Sequence, residues 1–68
     1  MGEVILKIYD IVEQKAGLQA RMKLVQHTGI SKNNAGMIRE DDEMIKGFKE
    51  LALKITGINI DDHLHAVK

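Results

Sequence analysis

Glycine rather than proline punctuates this chain. Gly17, Gly29 and Gly57 each follow a stretch whose apolar residues recur every three or four positions, and the 68 residues contain no proline. Such spacing gathers apolar side chains on one side of an α-helix, and a glycine just beyond can take the left-handed conformation that ends it. The aliphatic palette, with Tyr9 and Phe48 as the sole aromatics, also disfavours strands. The chain therefore predicts an all-α fold: one small domain, residues 1–68, built as a bundle of four to five short helices.

The first helix is expected over residues 3–16, with Val4, Ile5, Ile8, Ile11 and Val12 in its apolar stripe and Leu6 and Tyr9 widening it. A helix apolar over so wide an arc meets more than one neighbour. The second helix, Leu18 to Thr28, carries Leu18, Met22 and Val25 at i, i+4, i+7, with Leu24 beside them. A short third helix is expected from Lys32 to Arg39, capped by Ser31 or Asn33, with only Ala35 and Ile38 facing inward. Asn33, Asn34 and Gly36 weaken it, the glycine by up to about 1 kcal/mol relative to alanine. The fourth helix, residues 41–56, has a stripe of Met44, Ile45, Phe48, Leu51, Ala52 and Ile55. Asp41, Asp42 and Glu43 sit at its positive end, and Lys54 near its negative one. Residues 58–68 form either one more short helix, capped by Asp61 or Asp62 with Leu64 and Val67 inward, or a frayed tail.

Size and charge narrow the function. A chain this short buries only about 60% of its unfolded surface. The absence of cysteine excludes both a disulfide and a thiolate zinc site, leaving packed aliphatics or self-association to supply stability. No apolar run reaches the roughly 20 residues of a membrane span, and no basic-then-apolar leader is present, so no membrane partner and a cytoplasmic location are expected. Residues 1–40 carry six basic and four acidic side chains, and residues 41–68 four basic and six acidic, for a net charge of zero. A dedicated nucleic-acid binder is usually more basic, although a local basic face suffices.

The segment Met22–Ile38, MKLVQHTGISKNNAGMI, resembles the helix-turn-helix of phage-repressor and Cro-like DNA-binding regulators. Gly29 and Ile30 match its turn, Leu24 the aliphatic site five before the glycine, and Ile38 the aliphatic site nine after. Ala35 is smaller than the usual residue six after, and Val25 stands where the pattern has alanine, which widens the helix crossing. The resemblance spans about twenty residues and implies a regulator of transcription whose second motif helix enters the major groove of double-stranded DNA. It would place Lys32, Asn33 and Asn34 at base edges, Gly36 and Met37 further along, and Arg21, Lys23 and Arg39 on phosphates. Such domains commonly bind as homodimers, here with Leu6, Tyr9 or Leu64 as contact candidates.

The chain also carries its own counter-argument. His27-Thr28-Gly29-Ile30-Ser31 is echoed by Ile55-Thr56-Gly57-Ile58-Asn59 at the end of the fourth helix. Thr-Gly-Ile then reads as a helix stop, a Schellman motif with Ile30 over Val25 and Ile58 over Leu53. The alternative function is a helical protein-interaction or self-associating module without nucleic acid. No metal or other cofactor is expected: His63 and His65 stand two apart and so point differently on a helix, Asp61 and Asp62 read as solvated, and His27 suits a helix C-terminus. Ser31, the lone serine, is explained as a cap, and without a phosphate loop or HExxH spacing an enzyme is not expected.

Overall fold

The structure, a computed structural model, is described over residues 2–64. Five helices occur there and no strand: α1 (Glu3–Ala16), α2 (Leu18–Thr28), α3 (Lys32–Ala35), α4 (Asp42–Thr56) and α5 (Ile60–Leu64). The all-α bundle expected from the glycine-punctuated periodicity is the fold observed.

The wide apolar arc of α1 decides the architecture. Ile5, Ile8, Tyr9 and Val12 are fully buried, and α1 packs against each of the other four helices. Leu24 from α2, Ala35 from α3, Phe48 and Ala52 from α4 and Ile60 from α5 close around it. The Tyr9 and Phe48 rings meet edge to face, with centroids 5.7 Å apart. The radius of gyration of 10.6 Å matches the roughly 11 Å of a folded chain this long.

The repeated Thr-Gly-Ile performs the same chemistry twice. Gly29 (φ 71°) and Gly57 (φ 76°) are both left-handed, a conformation costly for any residue with a Cβ. Their N–H groups donate to the carbonyls of Val25 and Leu53 at 2.7 and 2.8 Å. The Schellman arrangement would send the next N–H to the same carbonyl; here Ile30 and Ile58 each donate instead to the threonine hydroxyl, at 3.2 Å in both turns. Those hydroxyls contact the carbonyls of Leu24 and Ala52, four residues back. Each turn is thus the simpler single-bond glycine cap with threonine as a relay. Thr28→Val and Thr56→Val should each cost about 1 kcal/mol, read from urea unfolding midpoints. The cost at Thr28 should be larger, because Tyr9 also contacts that hydroxyl.

After each turn a polar side chain starts a short helix. Ser31 Oγ accepts from the N–H of Asn34 at 3.2 Å, and Asn59 Oδ1 from the N–H of Asp61 at 3.1 Å. Asn59, rather than Asp61 or Asp62, is therefore the cap of α5. Helix, Thr-Gly-Ile, cap and short helix form one unit that occurs twice, as α2–α3 and α4–α5. Counterparts stand 28 positions apart, as Gly57 does from Gly29.

Two further expectations change. α3 ends at Ala35 rather than Arg39, and residues 36–38 form a turn in which the N–H of Met37 donates to Asn34. Weak propensity through Asn33, Asn34 and Gly36 leaves nothing to prolong it. Tyr9 is fully buried and offers no dimer contact; Leu6 is half-buried against Gly36, and Leu64 half-buried beside the core. Val67 and His65 lie outside the described residues.

The start of α1 is held from a distance. The Glu40 carboxylate accepts from the N–H groups of Val4 and Ile5 at 3.1 and 3.2 Å, two donors that no helix can satisfy within itself. Negative charge is favourable at that end of the helix. Glu40→Ala should cost about 2 kcal/mol of stability and show faster amide exchange at Val4 and Ile5. Glu40→Gln should recover part of the loss.

Candidate functional site

The residues implied by the helix-turn-helix resemblance fall into two groups. Arg21 and Lys32 are turned back onto α1. Arg21 Nε lies 2.6 Å from Glu13 Oε1, off the line of its N–H, and Lys32 Nζ lies 2.7 Å from Asp10 Oδ1. Asp10 and Glu13 stand three apart and so share one ridge of α1. Both pairs are partly solvated, and such pairs contribute about 0–1 kcal/mol each. Their consequence is electrostatic: a phosphate at either cation would have a carboxylate within 2.7 Å of the same nitrogen.

Lys23, Asn33, Asn34, Met37 and Arg39 are exposed, Met37 at 74%. They do not lie on one helix. Asn33 and Asn34 are on a single turn of α3, Met37 and Arg39 follow it, and Lys23 is on α2. The main contact of α3 is with α1, whereas α2 packs on α1 and α4. A four-residue helix spans about 6 Å, against the several turns a recognition helix lays along a groove.

Tyr9 fixes the turn from inside. Its hydroxyl donates to the carbonyl of Ile30 and lies 3.1 Å from Thr28 Oγ1. With the tyrosine proton given to Ile30, the Thr28 proton serves Tyr9, Leu24 or, at 3.4 Å, Val25, so two protons are shared among four acceptors. Burial raises the Tyr9 pKa, against the lowering effects of the Thr28 hydrogen bond and the positive charge of Arg21.

Comparison of the two repeated units exposes a surface that the apolar pattern by itself did not single out. The outer side of α2 presents Leu18, Gln19, Met22 and Gln26, with exposed Lys23 at its edge and Val25 packed half-buried against the core. Leu18 is 52% and Met22 51% exposed. The counterparts of the first four on α4 are Lys46, Gly47, Glu50 and Lys54, beside a Leu53 that is 50% exposed where Val25 is half-buried. These four positions carry no charge on α2, whereas three of the four are charged on α4. On α4 the charged residues are solvated, and Lys46, Lys49, Glu50, Leu53, Asn59 and Asp61 line a shallow groove crossed by a Lys49–Asp61 ion pair at 2.7 Å. The i, i+4, i+7 spacing of Leu18, Met22 and Val25 predicts one inward stripe, yet Leu18 and Met22 face solvent. The core position of α2 is instead taken by Leu24.

Among the described residues, no helix is long and apolar enough to cross a membrane, and no three histidine, aspartate or glutamate side chains converge as a metal site would require. No known protein family, curated protein or solved structure matches the chain.

Proposed function

We propose that this protein is a helical protein-interaction module whose binding surface is the outer face of α2. The observation carrying this reading is the contrast between equivalent faces. At Leu18 and Met22 the first unit leaves large apolar side chains in solvent where the second places Lys46 and Glu50. Two large apolar side chains left half-exposed one turn apart on the same helix offer a contact surface to a partner. A photo-crosslinking residue at position 22, introduced in the cell of origin, should give a discrete cross-linked protein. The same residue at position 50 should give none. Equal or absent cross-linking at the two positions would end this reading.

DNA binding through the α2–α3 turn is the second reading, favoured by the exposure of Asn33, Asn34, Met37 and Arg39. It requires salt-sensitive affinity for random-sequence duplex at low salt, reduced by Arg39→Ala together with Asn33→Ala. Those two substitutions spare the ion pairs with α1, whereas Lys32→Glu would set a second carboxylate beside Asp10. Absence of binding at low salt removes this alternative.

A further inference from the structure

We infer that Gly17 is a hinge at which α1 and α2 fuse into one helix, delivering α1 to the core of a second copy of this chain. Such exchange goes beyond the interaction-module reading and is independent of what covers the outer face of α2.

The connections of this fold are unequal. The breaks after α2 and α4 each have a threonine hydroxyl at the glycine, and Ser31 and Asn59 cap the helices that follow. Asp41 caps α4 in the same way. Gly17 alone separates α1 from α2, with no side-chain cap and no acidic residue in the first turn of α2. Residues 13–19 are all exposed, so no packing encloses the corner, and one ion pair, Arg21 with Glu13, spans it. The bend itself is made by Gly17 at φ 95° and ψ 168°, a region essentially restricted to glycine.

The chain on either side favours a continuous helix. At the bend the N–H groups of Leu18, Gln19 and Ala20 have no carbonyl or side-chain acceptor. Fusion gives them the carbonyls of Gln14, Lys15 and Ala16, four residues back. Lysine, alanine, leucine, glutamine and arginine, the residues that flank Gly17 from position 14 to 21, are all strong helix formers. The apolar line also keeps its register. Leu18 and Met22 follow the buried Ile11 by seven and eleven residues, which sets both within about 20° of it around one helix.

Fusion carries α1 out of its own domain. A helix from Glu3 to Thr28 is about 39 Å long, whereas the closed domain measures 27 Å in its longest dimension. Ile5, Ile8, Tyr9 and Val12 then leave the core, an exposure that a lone chain does not offset. The surface shaped to receive them is the socket that α1 vacates, lined by Leu24, Ala35, Phe48, Ala52 and Ile60. Two opened copies fill each other's sockets, so the core contacts re-form between chains as a symmetric domain swap. The contact reuses the whole buried face of α1. Lys32 with Asp10, and Glu40 with the N–H groups of Val4 and Ile5, become pairs between copies.

Gly17→Ala favours the fused state twice, by straining the bend and by strengthening the helix. Refolded from urea at millimolar concentration, this variant should be dimeric by light scattering with undiminished helical circular dichroism. Its association constant should exceed that of the unaltered chain at least about a hundredfold. Inserting Gly-Ser-Gly-Ser after Gly17 interrupts the fused helix and should leave the chain monomeric under the same conditions. An equal mixture of isotope-labelled and unlabelled Gly17→Ala chains, refolded together, identifies the dimer. Carbodiimide coupling of Lys32 to Asp10 should then yield cross-linked peptides that pair the two isotopes. A Gly17→Ala chain that is folded and monomeric overturns the hinge, and so does a dimer whose Lys32–Asp10 links are all of one isotope. If the variant does not fold, the same mixed refolding of the unaltered chain decides: mixed links support exchange of α1, and their absence rejects it.

Discussion

Tyr9→Ala is expected to leave the chain largely unfolded at room temperature. The side chain is wholly buried between α1, the α2–α3 turn and Phe48. Truncation of a buried aromatic costs about 3–5 kcal/mol. The whole stability of a domain this size is only about 3–10 kcal/mol. Tyr9→Phe separates the hydroxyl from the ring: the edge-to-face contact survives, but the Ile30 carbonyl loses its donor and Thr28 a partner. That variant should remain folded and lose about 1–3 kcal/mol in urea denaturation. A loss below about 0.5 kcal/mol would show that water replaces the hydroxyl at the turn.

The same residue fixes an alkaline limit. Burial raises its pKa in the folded state, so the native protein holds the phenolic proton more tightly than the unfolded chain does. The associated stability is complete below the unperturbed value of about 10 and is lost as pH rises through the higher folded-state value. Tyr9 is the only tyrosine and there is no tryptophan, so phenolate absorbance reports this group alone. Ionisation should coincide with loss of helical circular dichroism. A phenolate titrating at the ordinary value while the helices persist would contradict the buried assignment.

Gly2→Ala carries the second large effect. A Cβ at this position would lie 1.5 Å from the carbonyl oxygen and 2.6 Å from the carbonyl carbon of Ala35. Both are backbone atoms, which no rotamer change can move away. Either the start of α1 or the end of α3 must shift, at about 1–3 kcal/mol for overpacking of this kind. The shift would also strain the Gly2 N–H bond to the Ile38 carbonyl and the nearby grip of Glu40 on Val4 and Ile5. Gly47→Ala is the control: its Cβ would meet nothing within 4 Å, and alanine is the better helix former by up to about 1 kcal/mol. Thermal unfolding should move down for the first variant and up for the second. Equal shifts would mean that the seam between Gly2 and Ala35 is not closely packed.

Local sequence determined the three long helices closely, because spacing, caps and glycine stops act within a few residues. The two short helices departed, α3 stopping at Ala35 rather than Arg39 and α5 taking Asn59 as its cap. α1 and α2 have the bounds expected, Asp41 caps α4 through the N–H of Met44, and both Thr-Gly-Ile stops are left-handed glycine turns. What it misplaced were the contacts that cross between elements. Glu40 reads locally as one more surface acid, and only the fold brings it to the first turn of α1. Tyr9 reads as an exposed edge of a stripe until the returning turn encloses it. Lys32 and Arg21 read as free cations until α1 sets Asp10 and Glu13 beside them.

Periodicity and glycine punctuation by themselves determined an all-α chain with two Thr-Gly-Ile stops, since these depend on backbone conformation and near-neighbour hydrogen bonds. Only the tertiary structure decided which apolar residues are enclosed, which cations are neutralised, and that Leu18 and Met22 stay in solvent. Those outcomes depend on which helix lies across from which, and a one-dimensional pattern holds no distance between residues far apart in the chain.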